Sequence, residues 1–242
     1  MTNKKILCVI PARIGSTRLP AKPLIEIKKL PLVMWTYNAA FNSGVFDKIL
    51  VATDDRKIFD TVTKHGGNAV MTSPDHESGT DRVCEAASGL PYDYIVNLQG
   101  DEPLIPAGLL FTLAEHITFI DDNSLLTCVS NATIDDVKNP NIVKVVCAIN
   151  GYALYFSRAG IPFDRDNRGT TALRHCGIYA FTKSGLIRFC KMPHGKLEKI
   201  ERLEQLRALE NGMRIRCFSY EYKAIGIDTP EDVTAFSAMV EG

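Results

Sequence analysis

Along the first 150 residues, short apolar runs rich in β-branched side chains alternate with stretches of helical length and helical apolar spacing. The strand-like runs fall at residues 5–10, 48–52, 68–71, 94–98, 125–129 and 143–148, and the helical stretches at 31–42, 56–65, 80–87 and 106–117. Strands this continuously apolar are buried on both faces. A buried strand, a helix and another buried strand form the crossover unit of a parallel sheet. The alternation therefore predicts a three-layer α/β/α fold on a mainly parallel sheet. It also directs attention to the loops at the carboxyl ends of the strands, where such folds bind ligands. With 45% of its 242 residues apolar, the chain can fill that core.

After residue 150 the pattern loosens. Strand-like residues 152–156 and 175–181 flank a polar loop, 164–171, which suits a lid or dimerisation lobe over about residues 150–200. Residues 199–211 read as one helix, with Ile200, Leu203, Leu206 and Leu209 along a stripe and Gly212 closing it. Residues 214–220 read as a strand. Thr229, Pro230, Glu231 and Asp232 spell a helix start: a hydroxyl cap, proline at the first helical position and acids in the first turn. No repeat or linker-like stretch divides the chain, so one domain over residues 1–242 with an appended lobe is expected.

Charge and cysteine usage narrow the function. Twenty-eight Lys and Arg cancel 28 Asp and Glu, so no whole-molecule basic field exists to hold a nucleic-acid backbone, and an anion must be gripped locally. Arg13 interrupts the apolar run near the start well short of a signal or membrane-spanning length. A cytoplasmic protein without a nucleic-acid or membrane partner is expected. The seven cysteines stand singly, with no C-x-x-C pair, as reduced core thiols would.

Three loops carry the chemistry. The first strand runs into a Pro-stiffened turn bearing Arg13, Arg18 and Lys22. It matches neither dinucleotide nor P-loop fingerprint. Its cations suit several phosphates of one polyanion, or else a solvated basic loop. The second loop, Gln99-Gly100-Asp101-Glu102-Pro103, puts carboxylates at a strand end. Mg²⁺ takes one or two carboxylates with phosphates and water, so Asp101 needs one distant partner. Asp228, before the last helix start, fills that need on paper. The plainer readings are a turn residue for Asp101 and a helix-start acid for Asp228. The third, Ser78-Gly79-Thr80-Asp81-Arg82, opens a predicted helix whose free backbone donors suit an anion or a base edge, or whose hydroxyls simply cap it.

Together these loops resemble the cytidylyltransferases that activate 3-deoxy-manno-octulosonate (Kdo), a sugar acid of the bacterial lipopolysaccharide inner core. The likeness spans nearly the whole chain through Val70-Met71-Thr72-Ser73, Asn139-Pro140, Val143-Lys144-Val145-Val146, Ala153-Leu154-Tyr155-Phe156-Ser157-Arg158, Ile161-Pro162, Arg174-His175-Cys176-Gly177-Ile178-Tyr179 and Leu203-Glu204-Gln205-Leu206-Arg207. The resemblance implies transfer of CMP from CTP to the anomeric hydroxyl of Kdo, with pyrophosphate leaving, by a Mg²⁺-dependent homodimer of the nucleotide-diphospho-sugar transferase fold. It implies Arg13, Arg18 and Lys22 on the triphosphate, and Ala12, Ser78, Gly79 and Arg82 around the cytosine and ribose. Asp101 and Asp228 would hold magnesium and form the catalytic group with Lys22 and Arg13. Gln99, Arg158, His175, Tyr179, Glu204 and Gln205 would surround the sugar acid, with Arg158 on its carboxylate. The 8-amino analogue of Kdo, or another sugar acid, is the alternative substrate. A silent nucleotide-binding module is disfavoured, because it has little use for two metal carboxylates.

Plainer readings accompany these roles. His175 and Tyr179, four apart on a strand, share a face, where a core pair is ordinary. Glu204, four residues after Ile200, sits at the margin of the apolar stripe, where an unpartnered carboxylate is costly. Lys144 and Arg207 read as structural. Two departures from the family stand out: Ala21 where Gly is usual, which reduces backbone freedom beside Lys22, and, more important, a segment from Asp166 to Arg174 shorter than in many members, just before His175.

Overall fold

The structure, a computed structural model, describes residues 4–15, 19–166, 169, 172–222, 226–227 and 229–240. Arg18 and Asp228 lie outside the described residues, as do parts of the 164–171 loop. The chain divides into two units, residues 1–111 with 224–242, and residues 112–223.

The first unit contains β1 (Ile6–Ala12), β2 (Glu26–Ile27), β3 (Leu30–Pro31), α1 (Leu32–Ser43), β4 (Lys48–Thr53), α2 (Arg56–Lys64), β5 (Ala69–Met71), α3 (Gly79–Ala87) and β6 (Tyr94–Leu98). The helix α4 (Ala107–His116) follows across the division. Strands β6, β1, β4 and β5 are neighbours in that order and all parallel: Cys8 lies opposite Val96 on one side and Ile49 on the other, and Val51 opposite Ala69. Every β1 residue except Pro11 is buried, which is why the run is apolar without alternation. Because the strands are parallel, the segments after β1, β4 and β6 leave the sheet at one edge.

The second unit contains β7 (Ser124–Asn131), α5 (Ile134–Lys138), β8 (Lys144–Cys147), β9 (Ala153–Ser157), β10 (Leu173–Thr182), α6 (Lys183–Cys190), α7 (Lys196–Glu201), α8 (Gln205–Glu210) and β11 (Arg214–Ser219). Here β11 runs parallel to β7, whereas β7–β10, β10–β8 and β8–β9 are antiparallel. Two buried cations hold this unit together. Lys144 donates to the carbonyls of Asn139 (2.8 Å), Ile142 (2.7 Å) and Arg158 (2.5 Å), which uses all three ammonium protons. Arg207 forks onto the Glu198 carboxylate at 2.7 and 3.0 Å. Both are structural, as read.

The last helix, α9 (Pro230–Met239), returns to the first unit. Thr229 and Asp232 form the expected capping box. Phe236 is fully buried with Leu19, Ile27, Leu32 and Ile227 and meets Trp35 edge-on, with ring centroids 5.3 Å apart.

Residues 199–211 are not one helix. The chain breaks between α7 and α8, Arg202 is left-handed (φ 53°), and Ile200 is 78% exposed instead of lining the stripe. The Arg158 side chain bonds the Glu201 carbonyl at 2.8 Å, while the Glu201 carboxylate accepts from Ser157 Oγ (2.6 Å) and Arg158 N (3.0 Å), so tertiary contacts fix the kink. Glu204 therefore precedes α8, and its helical spacing from Ile200 has no structural meaning. Gly212 does close α8, with φ 74° after the cap residue Asn211. None of the seven cysteines is in a disulfide; Cys8, Cys128 and Cys176 are buried and the other four half-buried.

Ala21 is also left-handed, with φ 53° and ψ 29°. An L-side chain there costs about 1–2 kcal/mol, part of which glycine would return as unfolded-chain entropy. Ala21→Gly is expected to raise unfolding free energy by about 0.5–1 kcal/mol in urea melts. A loss of stability would show that Ala21 is not strained.

Candidate active site

The parallel edge of the first unit encloses a cavity of about 270 Å³. Pro11, Ala12 and Arg13 line it from the end of β1, His76, Glu77, Ser78, Gly79 and Arg82 from the start of α3, and Gln99 from the end of β6. The first and third loops of the sequence reading thus meet. The approach is close where they touch, since a Cβ on Gly79 would stand a tight 3.3 Å from the Pro11 ring.

Arg82 is 3% exposed, and its guanidinium is held by Thr72 Oγ1 (2.5 Å), the Ser73 carbonyl (3.2 Å) and Asp54 Oδ2 (2.9 Å). Asp54, missed by sequence reasoning, therefore stands behind this wall and holds Arg82 in it. Its signal was available: it follows β4 directly, at the strand end where parallel sheets place their sites. Ser78 caps α3, accepting from Asp81 N at 3.1 Å and donating to Asp81 Oδ2 at 2.7 Å, so the plainer reading holds for its hydroxyl. His76 Nε2 bonds Glu85 Oε2, which also accepts from Ser73 N at 2.9 Å. The Ser73 amide holds the Glu85 carboxyl below its ordinary range against the upward push of burial, with His76 and Arg82 adding to the effect. Arg13 is exposed on the cavity wall.

On the same edge Lys22 Nζ meets Asp101 Oδ2 at 2.7 Å. Ile227 N donates to the Asp101 carbonyl at 3.2 Å, tying the α9 approach to this loop. Among the described residues no cluster of three or more His, Cys, Asp or Glu forms a ready metal cage. Asp101 offers hard carboxylate oxygens, and its side chain is 32% exposed. That donor suits Mg²⁺, which completes its shell with phosphates and water.

The second unit gathers part of the other predicted set. Tyr179 OH donates to Gln205 Oε1 at 3.1 Å, and the His175 ring lies 5.4 Å from the Tyr179 ring. Gln205 is 3% exposed and its Nε2 has no partner, a costly state that a ligand acceptor would relieve. Burial, and then the charge of Glu204, push the Tyr179 phenol up, so it stays a donor. The Arg158 guanidinium donates to the carbonyls of Glu201, Pro140 and Arg202.

His175 Nε2 lies 2.9 Å from Thr127 Oγ1, whose own proton goes to the Ile178 carbonyl at 2.8 Å; the ring is therefore the Nε2–H tautomer. Burial lowers its pKa from 6.5 to about 3. Between those values the unfolded chain holds a proton that the folded one refuses, so stability is lost as pH falls below 6.5. His175→Gln is expected to lose about 2 kcal/mol less than the parent between pH 7 and 5 in urea unfolding. Equal losses would contradict an imidazole that stays neutral in the folded chain.

Comparison with known proteins bears on the whole chain. The family described as cytidylyltransferase matches residues 7–215. The chain is similar to the 3-deoxy-manno-octulosonate cytidylyltransferase of Thermodesulfovibrio yellowstonii, 45% identical over 241 residues and covering 94% of each chain. It is 48% identical over 231 residues to that of Koribacter versatilis, covering 95% of this chain and 87% of the relative. Among solved structures, CMP:2-keto-3-deoxy-manno-octonic acid synthetase complexed with CTP superposes with a TM-score of 0.94 at 37% identity, covering 98% of this chain and 99% of the other. The mainly parallel α/β architecture expected from the alternation is the fold of that enzyme.

Proposed function

The chain belongs to the 3-deoxy-manno-octulosonate cytidylyltransferases, and from that premise we propose that it transfers CMP from CTP to the anomeric hydroxyl of Kdo, releasing pyrophosphate. The observation that carries the proposal is the meeting of Ala12, Arg13, Gly79 and Arg82 around one cavity, on the edge that also bears the Lys22–Asp101 pair. Such an edge can hold a nucleotide by its base and by its charge at once.

In this reading Arg13, Arg18 and Lys22 neutralise the triphosphate. Ala12, Ser78 and Gly79 pack about the cytosine and ribose, against the Arg82 wall that Asp54 and Thr72 keep rigid. Rigid placement is itself catalytic, since orientation converts a bimolecular encounter into an intramolecular one. On the second unit the sugar acid falls to His175, Tyr179, Glu204 and Gln205. The Tyr179 hydroxyl, donating to Gln205 Oε1, leaves the unpartnered Gln205 Nε2 as a donor, and neutral His175 supplies an acceptor at Nδ1. The occupied guanidinium of Arg158 argues for its holding the kink before Glu204. Asp101 and Asp228 would hold Mg²⁺. When bound, the ion neutralises phosphate charge and acidifies the attacking hydroxyl.

The proposal extends to a cytoplasmic homodimer feeding lipopolysaccharide inner-core synthesis. No helix among the described residues is long and apolar enough to cross a membrane. Leu154, at 63% exposure, and Phe163, at 88%, offer apolar surface for a second copy. A coupled pyrophosphate assay with CTP, Mg²⁺ and either Kdo or its 8-amino analogue tests the reaction. Release with Kdo is expected, and no release with either acid from folded protein would overturn it.

A further inference from the structure

The Gln99 carboxamide on the cavity wall is held by a buried relay to which the scheme above gives no role. Asn97, two residues earlier on the same face of β6, is completely buried, and so is Thr80 on α3. Asn97 Nδ2 donates to Thr80 Oγ1 at 2.9 Å, and Gln99 Nε2 donates to Asn97 Oδ1 at 3.1 Å. A carboxamide has one donor side and one acceptor side. With its NH₂ committed to Thr80, Asn97 offers Gln99 only a carbonyl, and Gln99 answers with its own NH₂. Gln99 Oε1 is then the atom left for the cavity. Gly79 lies beside that oxygen, near enough that a Cβ there would stand 4.0 Å from it.

We infer that Asn97 is a positioning residue that fixes the Gln99 carbonyl toward the cavity, so that the site takes a hydrogen-bond donor from its substrates at that point and disfavours an acceptor. Only the identity of the donor rests on the proposed function: it is the exocyclic amine of cytosine or a hydroxyl of the sugar acid. The orientation of the amide is independent of it. Replacing Asn97 by leucine keeps the branching and heavy-atom count of the side chain, removes both bonds and lets the Gln99 amide turn over. Replacing it by aspartate keeps an acceptor toward Gln99 Nε2 and another for the Thr80 hydroxyl.

Two measurements on the full chain test this. In ¹⁵N-labelled protein without ligand, the Gln99 side-chain NH₂ signals, assigned through their loss in Gln99→Met, are expected to exchange with solvent about tenfold faster in Asn97→Leu than in the parent, as removal of one hydrogen bond allows. In the pyrophosphate assay, Asn97→Leu is expected to raise KM for the donor-bearing substrate about tenfold with kcat changed less than about threefold, and Asn97→Asp to restore it. A lost preference for CTP over UTP assigns the donor to cytosine, and a raised KM for the sugar acid alone assigns it to the acid. Unchanged exchange in Asn97→Leu, or equal damage from leucine and aspartate, overturns the inference. Should the parent release no pyrophosphate, the functional reading fails while the exchange rates still decide the role of Asn97. Thr80→Val, which frees the Asn97 amide to flip, gives the same two readouts if Asn97→Leu does not fold.

Discussion

Asp101→Asn is expected to lower turnover of CTP and Kdo by about 10²- to 10³-fold, the cost of removing one preorganised group from a site that must stabilise phosphate charge. The substitution keeps the shape of the side chain and removes only its charge and one acceptor. Its partner Lys22 lies 2.7 Å away, with side chains 13% and 32% exposed, so the pair is partly screened and contributes about 1 kcal/mol or less to folding. Loss of activity should therefore appear with a melting shift of only a few degrees. The measurement is kcat at saturating CTP and Mg²⁺ beside a thermal melt of the same preparation. Activity within a few-fold of the parent would remove Asp101 from the metal proposal, and with it the reason for pairing it with Asp228.

The edge that carries Asp101 was legible in the sequence because its causes are local. Ile6–Ala12, Lys48–Thr53 and Tyr94–Leu98 are apolar runs bounded by polar turns, and a parallel sheet aligns their following loops whatever lies between them. The Thr229–Asp232 box was equally legible, since a cap is written within four residues. What stayed hidden was set by distant partners. The stripe of Ile200, Leu203, Leu206 and Leu209 satisfies a single helix, and only the bonds from Ser157 and Arg158 onto Glu201 reveal the break. Asp54 likewise reads as one more loop acid until Arg82, on another element, is found against it. Helix α5 was missed because five residues with no buried side chain leave no periodic trace.

Arg207→Met is the substitution with the largest expected effect on stability. Arg207 is 1% exposed and also stacks over the Phe189 ring at 5.0 Å, while the Glu198 side chain is 9% exposed. Burial pushes the Glu198 carboxyl up, but the hydrogen bonds and charge of Arg207 outweigh it and hold the group below its ordinary range. Methionine preserves most of the volume and the contact with Phe189, so the loss is electrostatic. It leaves a buried carboxylate with His194 as a weak partner at 3.1 Å. Removing one member of such a pair costs about 3–5 kcal/mol, which in a chain of this length lowers the melting temperature by roughly 10 °C. The sign of the pH dependence separates this from lost packing. In the parent, the depressed carboxyl gives stability that is present above its unfolded pKa and lost as pH falls. In Arg207→Met burial is left with only the Gly195 amide and His194 acting against it, so the folded pKa should rise from its value in the parent, and the defect should shrink from pH 7 to pH 5 as Glu198 takes a proton. The contribution of His175 is common to both proteins and cancels in the difference. Adding Glu198→Gln to Arg207→Met should recover much of the loss at pH 7, because no charge is then stranded. A defect that is the same at both pH values, or one the second substitution deepens, would assign the role of Arg207 to packing instead of charge.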